Sequence, residues 1–312
     1  MRILVVGAGA IGGYFGARLA AAGRDVTFLV RPKRAEQLAG GLFVRSPKGD
    51  VKIAAPKTVT EATLSRESFD LVLLSCKSYD LESAMDSFAR AMGPAAMILP
   101  TLNGESHVDI LKKRFGAGTV LGGQCQISST LDAQGHVIHL NEMHTLGFGE
   151  LDGTRSARIE AVNENFTGAG FEAQLSLHIL QDMWEKWTFI ATMAGMTCLM
   201  RASVGDIETA GGTSIALALF EECSAIARKN GHAPQAAVGE LIRKILSAPG
   251  STLMASMLRD VEGHRRTEHE HVLGNLFARA QGTRAPVLEI CLAHLRAYEA
   301  RRLRESYSPG RG

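Results

Sequence analysis

Several classes of partner are poorly supported by what this chain lacks. The formal net charge over 312 residues is only +2, which gives no electrostatic case for nucleic acid. Arginines do gather near the end, at Arg296, Arg301, Arg302, Arg304 and Arg311. Aromatic residues hardly interleave with them, so the run reads as a solvated helix face and a frayed tail. The five cysteines, Cys76, Cys125, Cys198, Cys223 and Cys291, are scattered and form no C-x-x-C pair. That pattern points to a reduced, intracellular protein. The apolar run from Trp187 to Met200 falls short of the roughly 20 residues a bilayer-spanning helix needs. The opening MRILVVGAGAIGGYFGA has one basic residue and an apolar stretch, but Gly7, Gly9, Gly12 and Gly13 punctuate it, unlike a signal peptide. A soluble, cytoplasmic protein with no membrane partner is expected. There is no internal repeat and no low-complexity tract.

The chain does hold enough apolar matter for a core. Hydrophobic residues make up 46% and charged residues 21%, and the length suits one large or two moderate domains. Residues 2–6, RILVV, end at glycine and read as a buried parallel strand. Residues 17–22 read as a helix closed by Gly23, and residues 25–30 as a second strand. Residues 69–77 and 96–104 read as two more, with the helical LESAMDSFARAM between them. This alternation predicts a parallel sheet covered on both faces. From 120 to 149 short strands with an Asp-Ala-Gln-Gly turn predict antiparallel strands appended to the sheet. After Gly170 helices dominate, over 179–200, 213–230, 236–247 and 284–304. The expected fold class is an α/β Rossmann-like N-terminal domain with appended antiparallel strands, residues 1–172, plus an all-α C-terminal domain, residues 173–312.

GAGAIG, residues 7–12, fits G-x-G-x-x-G and sits between a predicted strand and a predicted helix, the context that dinucleotide binding requires. Gly7 would permit the tight turn, Gly9 the approach of a pyrophosphate and Gly12 close helix–strand packing, with Ala10 and Ile11 between them also expected to bind the cofactor. The helix N-terminus offers N–H groups and partial positive charge to the phosphates. An NAD-binding chain usually carries Asp or Glu at the end of the second strand. Here the strand ends Val30-Arg31-Pro32-Lys33-Arg34. A guanidinium can grip a ribose phosphate with paired hydrogen bonds, so Arg31 favours NADPH over NADH. Lys77 and Asn103 follow two other strands, at the sheet end where ligands of such folds bind.

Lys186 sits in DMWEKWTFIATMAG, between two tryptophans at the head of an apolar run. Alone, it could be a lysine snorkelling from a core helix. Together with GAGAIG, the Arg31 strand end, Lys77 in SCK, Asn103 in LNG, and ASMLRD followed by RTE, it resembles the ketopantoate (2-dehydropantoate) 2-reductases over nearly the whole chain. The resemblance implies a Rossmann domain and a helical domain with the active site in the cleft between them. It also implies hydride transfer from NADPH to a small 2-keto acid, in pantothenate biosynthesis. Lys186 would be the general acid. Glu268 would hydrogen-bond substrate or orient the lysine, and Ser256 would contact substrate. Asn103 and Lys77 would help hold substrate and cofactor. An ammonium aimed at the carbonyl oxygen would stabilise the negative charge that grows there and donate the proton.

The sequence departs from the family's pattern at Ile190 and Ala194, where asparagines are usual. Residues four apart share a helix face, so the stripe through Lys186 has lost two amides that would bind a hydroxylated keto acid. A more apolar substrate pocket is expected, with Thr192, Thr197 or Ser203 as candidates to restore polarity. After RTE the family often has Ile-Asp and then Asn-Gly; here stand His269-Glu270-His271 and Leu273-Gly274. His264, His269 and His271 read as solvated histidines, with no metal expected. Met183, Met193, Met196 and Met200 read as core filler. A reductase of another β-substituted acid or an imine, and an NADPH-binding regulator without turnover, remain as rivals. A second copy of the chain is a candidate partner through the helical domain.

Overall fold

The computed structural model describes residues 1–65 and 68–306; Arg311 and the frayed tail expected there lie outside them. The chain divides into two units, one of Met1–Leu102 and His107–Leu180, the other of Asn103–Ser106 and the chain from Gln181 onward. The first unit runs β1 (Arg2–Val6), α1 (Ala10–Ala21), β2 (Asp25–Leu29), α2 (Pro32–Leu38), β3 (Leu42–Arg45), β4 (Val51–Ile53), β5 (Thr58–Val59), β6 (Phe69–Leu74), α3 (Leu81–Phe88), β7 (Met92–Pro100), α4 (Ser106–Phe115), β8 (Gly122–Leu131), β9 (Val137–Gly149), α5 (Ala157–Phe166) and β10 (Glu172–Leu175).

The near-continuous apolar runs make the central strands. Ile3, Leu4, Val5 and Val6 of β1 are all buried, as are Leu71 to Leu74 of β6, which suits strands covered on both faces. The sheet has the order β5-β2-β1-β6-β7 and every pairing in it is parallel. Chain order reverses beside β1, which places a ligand crevice outside the carboxyl ends of β1 and its neighbours.

The expected antiparallel strands are present as the β8–β9 pair, but they are not appended to this sheet. They belong to a second sheet, ordered β10-β9-β3-β4 with β8 on β9. In it β3 and β10 run parallel to β9, while β4 and β8 pair antiparallel. The two segments read as separate short strands are one strand of 13 residues. Helix α1 lies in the core that the two sheets share, with Tyr14, Phe15 and Leu19 fully buried among Val5, Phe28, Val137 and Phe148.

Helix α1 begins at Ala10, seven residues before the apolar run that announced it. Gly12, Gly13 and Gly16 are helical, because the helix lies too close to its neighbours for side chains. A Cβ on Gly12 would overlap the Ser75 hydroxyl and the Gly7 carbonyl oxygen, and one on Gly16 would overlap the Phe28 ring.

The second unit is helical: α6 (Ile179–Met200), α7 (Val204–Thr209), α8 (Thr213–Lys229), α9 (Ala236–Leu246), α10 (Ser256–Glu262), α11 (Asn275–Ala278) and α12 (Pro286–Ser306). Its core joins Trp187, Ala191 and Met196 of α6 to Leu219 and Cys223 of α8, Leu258 of α10 and Leu288 and Leu292 of α12. Met183, Met193 and Met196 fill cores as expected, whereas Met200 is exposed at the helix end. Among the described residues, no helix is long and apolar enough to cross a membrane.

Gly12→Ala should lower the unfolding free energy by about 1–3 kcal/mol, as overpacking against a backbone oxygen commonly does. Denaturant unfolding followed by circular dichroism measures it; an unchanged midpoint would contradict the close approach.

Candidate functional site

In the first unit the crevice end of the sheet gathers Gly7, Gly9, Ala10, Ile11, Gly12, Arg31 and Lys77. Gly7 has φ +93°, a left-handed conformation that only glycine adopts without strain. Its N–H donates to the Leu29 carbonyl at 2.9 Å. The Ser75 hydroxyl lies 2.9 Å from the Gly7 carbonyl and 3.0 Å from that of Val6, and so pins the turn from beneath. Gly9 occupies the N-cap of α1, where no side-chain cap bond forms and no acidic residue stands in the first turn. No described atom lies within 4 Å of a Cβ built on Gly9. The space beside Gly9 at the helix start is thus open among the described residues, which fits the approach of a pyrophosphate.

Arg31 is the N-cap of α2, with Pro32 in the first helical position. Its guanidinium pairs with Asp80 at 2.9 Å and its side chain is 72% exposed. Lys77 is exposed, at the residue after which a short 3-10 turn over Ser78–Asp80 begins. Two further residues were not legible as site residues. Ser75 carries no sequence signal. Arg34 stood in the basic stretch, but its role lies in a fold-back: Nε donates to the Ala8 carbonyl at 2.8 Å and Nη1 to the Gly135 carbonyl at 2.8 Å. Its Nη2 is buried without a partner among the described residues. A half-buried guanidinium beside the glycine loop with a donor to spare also fits an anionic ligand there.

In the second unit Lys186 is half-buried on α6, with no hydrogen bond or ion pair among the described residues. Trp184 and Trp187 on either side are buried, their rings 4.9 Å apart. Trp187 donates from Nε1 to the Val272 carbonyl at 2.8 Å. Neighbouring Glu185 turns away; its carboxylate accepts from the Gln181 side chain at 2.9 Å and the Gln235 backbone N–H at 2.8 Å. Ile190 is half-buried and packs on the unit's core, and Ala194 is 3% exposed within it. Ser256 is exposed at the start of α10. Glu268 is half-buried and its charge acts on His271.

Asn103 follows β7 in sequence yet packs in this second unit. The His271 imidazole is hydrogen-bonded to the Asn103 backbone carbonyl. Gly104, at φ +77°, lies against the Trp187 ring. Glu105 pairs with Arg279 at 2.9 Å, and Asn275 donates to the Ser106 hydroxyl at 2.7 Å. The segment is thereby clamped onto Trp187, α11 and a π-helical turn over Glu270–Gly274. Such turns often mark functional sites.

Three expectations fail here. Thr192 and Thr197 do not restore polarity: their hydroxyls donate to the Thr188 carbonyl at 2.8 Å and the Met193 carbonyl at 2.7 Å, the usual back-bonding of buried helical threonines. Ser203 closes a capping box with Asp206. Of the three histidines only His264 is exposed. His271 is 9% exposed, because the π-helical turn carries it inward. His269 bonds Thr267 at 2.9 Å. No cluster that could hold a metal occurs among the described residues.

Comparison with known proteins settles the family. Residues 3–153 match the family described as ketopantoate reductase PanE/ApbA, and residues 178–299 match its C-terminal counterpart. The chain belongs to the ketopantoate reductase family. An uncharacterized oxidoreductase, YkpB, of Bacillus subtilis is 39% identical over 96% of this chain and 99% of its own length. A 2-dehydropantoate 2-reductase of Archaeoglobus fulgidus is 29% identical, covering 90% of this chain and 91% of that one. The crystal structure of 2-dehydropantoate 2-reductase from Methylococcus capsulatus superposes with a TM-score of 0.86 at 26% identity, covering 97% of this chain and 98% of that chain. A Rossmann-like domain followed by a helical domain is the architecture of this family of oxidoreductases, as the sequence led us to expect.

Burial, the first cause in each case, holds the imidazoles of His144, His232, His269 and His271 below the ordinary histidine value. The unfolded chain takes up protons near pH 6.5 while the folded chain resists, so the unfolding free energy should fall as pH drops below about 6.5. Urea midpoints at pH 7.5 and pH 5.5 measure this; an equal or higher midpoint at pH 5.5 would contradict it.

Proposed function

We propose that this member of the ketopantoate reductase family reduces a 2-keto acid to a 2-hydroxy acid with NADPH, and that Lys186 is the general acid. The observation that carries the reading is the ammonium of Lys186, half-buried beside two buried tryptophans and without a partner among the described residues. A cation that the fold partly desolvates yet leaves unpaired is suited to an oxygen that becomes negative during reaction. Bound reduced nicotinamide supplies the hydride. Lys186 stabilises the charge arising on the carbonyl oxygen and gives it a proton, which the amine recovers from solvent. Glu268 hydrogen-bonds substrate or orients Lys186, Ser256 contacts substrate, and Asn103 and Lys77 help hold substrate and cofactor. The glycine loop and Arg31 hold the dinucleotide, with Arg31 reaching for the ribose phosphate.

The substrate in this reading is less polar than ketopantoate. Ile190 and Ala194 offer no hydrogen bond, and the hydroxyls of Thr192 and Thr197 are engaged within their own helix. A lining of this kind accepts an apolar chain and gains nothing from a substrate hydroxyl.

Lys186→Ala should lower kcat by about 10²- to 10⁴-fold, the usual worth of a positioned general acid, while NADPH binding stays nearly unchanged. Wild-type protein without turnover on any keto acid would instead favour an NADPH-binding regulator. In a panel followed by NADPH absorbance, keto acids with plain aliphatic or aromatic side chains should show higher kcat/KM than ketopantoate. Efficient ketopantoate turnover with no such preference would defeat the apolar-pocket reading.

A further inference from the structure

We propose that Asp80 sets how sharply this protein distinguishes NADPH from NADH, by holding the Arg31 guanidinium that would otherwise be wholly available to a ribose phosphate. The inference rests on the dinucleotide reading above and deepens it. Arg31 closes β2 and Asp80 follows β6, the strands that flank β1 on either side, so the two side chains come from separate strand ends beside the glycine loop. Their atoms Nη2 and Oδ1 are 2.9 Å apart, with side-chain exposures of 72% and 30%.

Asp80 stands in the N-cap position of α3, where an aspartate ordinarily accepts from the helix N–H groups. It makes no such side-chain bond; its carboxylate turns to Arg31 instead. A basic residue at the end of the second strand normally signals a site for the ribose phosphate, and a carboxylate there signals one for the ribose hydroxyls. This protein brings both to one corner. With NADPH, the phosphate shares Arg31 with a carboxylate of its own sign, whose repulsion offsets part of the attraction. With NADH, the carboxylate remains available to accept from a ribose hydroxyl. Arg34 relieves the competition only little, because its Nε and Nη1 are engaged by the Ala8 and Gly135 carbonyls and only its Nη2 is without a partner among the described residues. The expected result is a preference for NADPH that Asp80 keeps narrow.

The test is equilibrium binding, read from the fluorescence of each reduced dinucleotide, on wild-type protein and on Asp80→Asn, Arg31→Ala and the double variant. Asparagine retains the size of the side chain, no cap bond is lost because Asp80 makes none, and circular dichroism with the unfolding midpoint verifies that each variant is folded. Asp80→Asn should tighten NADPH binding by roughly three- to tenfold, the scale of a partly exposed charge pair. NADH binding should be unchanged or weaker. In the Arg31→Ala background the same substitution should no longer favour NADPH by that factor. If the NADPH:NADH ratio of Asp80→Asn matches wild type, or shifts toward NADH because Arg31 has lost its support, the proposal is overturned while the dinucleotide reading stands. If wild-type protein binds neither dinucleotide, both fail together.

Discussion

The first unit depends on one close contact, that of Gly12 in α1 with Ser75 and the carbonyl of Gly7. It fixes how near the helix may come to β1 and β6, and therefore where the helix N-terminus stands relative to the strand ends. Any side chain at Gly12 would push the helix away. The Ser75 hydroxyl bonded to the Val6 and Gly7 carbonyls and the Arg34 guanidinium bonded to the Ala8 carbonyl then hold the loop from two directions. An anion-binding helix start is useful only if its N–H groups are fixed before the ligand arrives, since ordering them on binding would weaken it. The second sheet serves the same end, because it covers the outer side of α1 and locks Tyr14 and Phe15 into the core.

The second unit packs around the two buried tryptophans that flank the half-buried Lys186. Trp187 is anchored through Nε1 to a carbonyl of the π-helical turn. The guanidinium of Arg279 lies over its ring, with the carbon 5.3 Å from the centroid, and pairs with Glu105. Glu185, the nearest acid in sequence, is tied to Gln181 and Gln235 and so leaves Lys186 alone. The same clamp fixes Asn103, whose backbone carbonyl meets His271. Asn103 and Glu268, more than 160 residues apart in sequence, thus both act on His271.

Much of the fold was legible because its signals are local. The runs around Ile3–Val6 and Leu71–Leu74 are apolar at successive positions, which only doubly covered strands or buried helices show, and GAGAIG carries its own backbone requirement. The long helices α6, α8 and α12 end within two residues of their expected limits. What was missed is non-local. β3 and β4 are only four and three residues long and gain their identity by pairing, β3 with a strand more than 90 residues later. The hydroxyls of Thr192 and Thr197 looked available in sequence, but their rotamers return them to the helix backbone. His271 looked like a surface histidine because nothing in EHEH announces a π-helical turn. The meeting of Arg31 with Asp80 belongs to the same class: the ends of the two strands that flank β1 carry residues 49 positions apart in the chain.

The central claim is that reduced nicotinamide and Lys186 act on the same carbonyl group. It is tested most directly by following the transferred hydrogen. The protein would be incubated with NADPH carrying deuterium at C4 and an aliphatic 2-keto acid, and the product examined by nuclear magnetic resonance. The account expects one deuterium at C2 of a single enantiomer of the hydroxy acid, with none appearing when Lys186→Ala replaces the wild-type protein under the same brief incubation. A hydroxy acid formed without deuterium at C2, or label transferred as readily by the lysine variant, would contradict it.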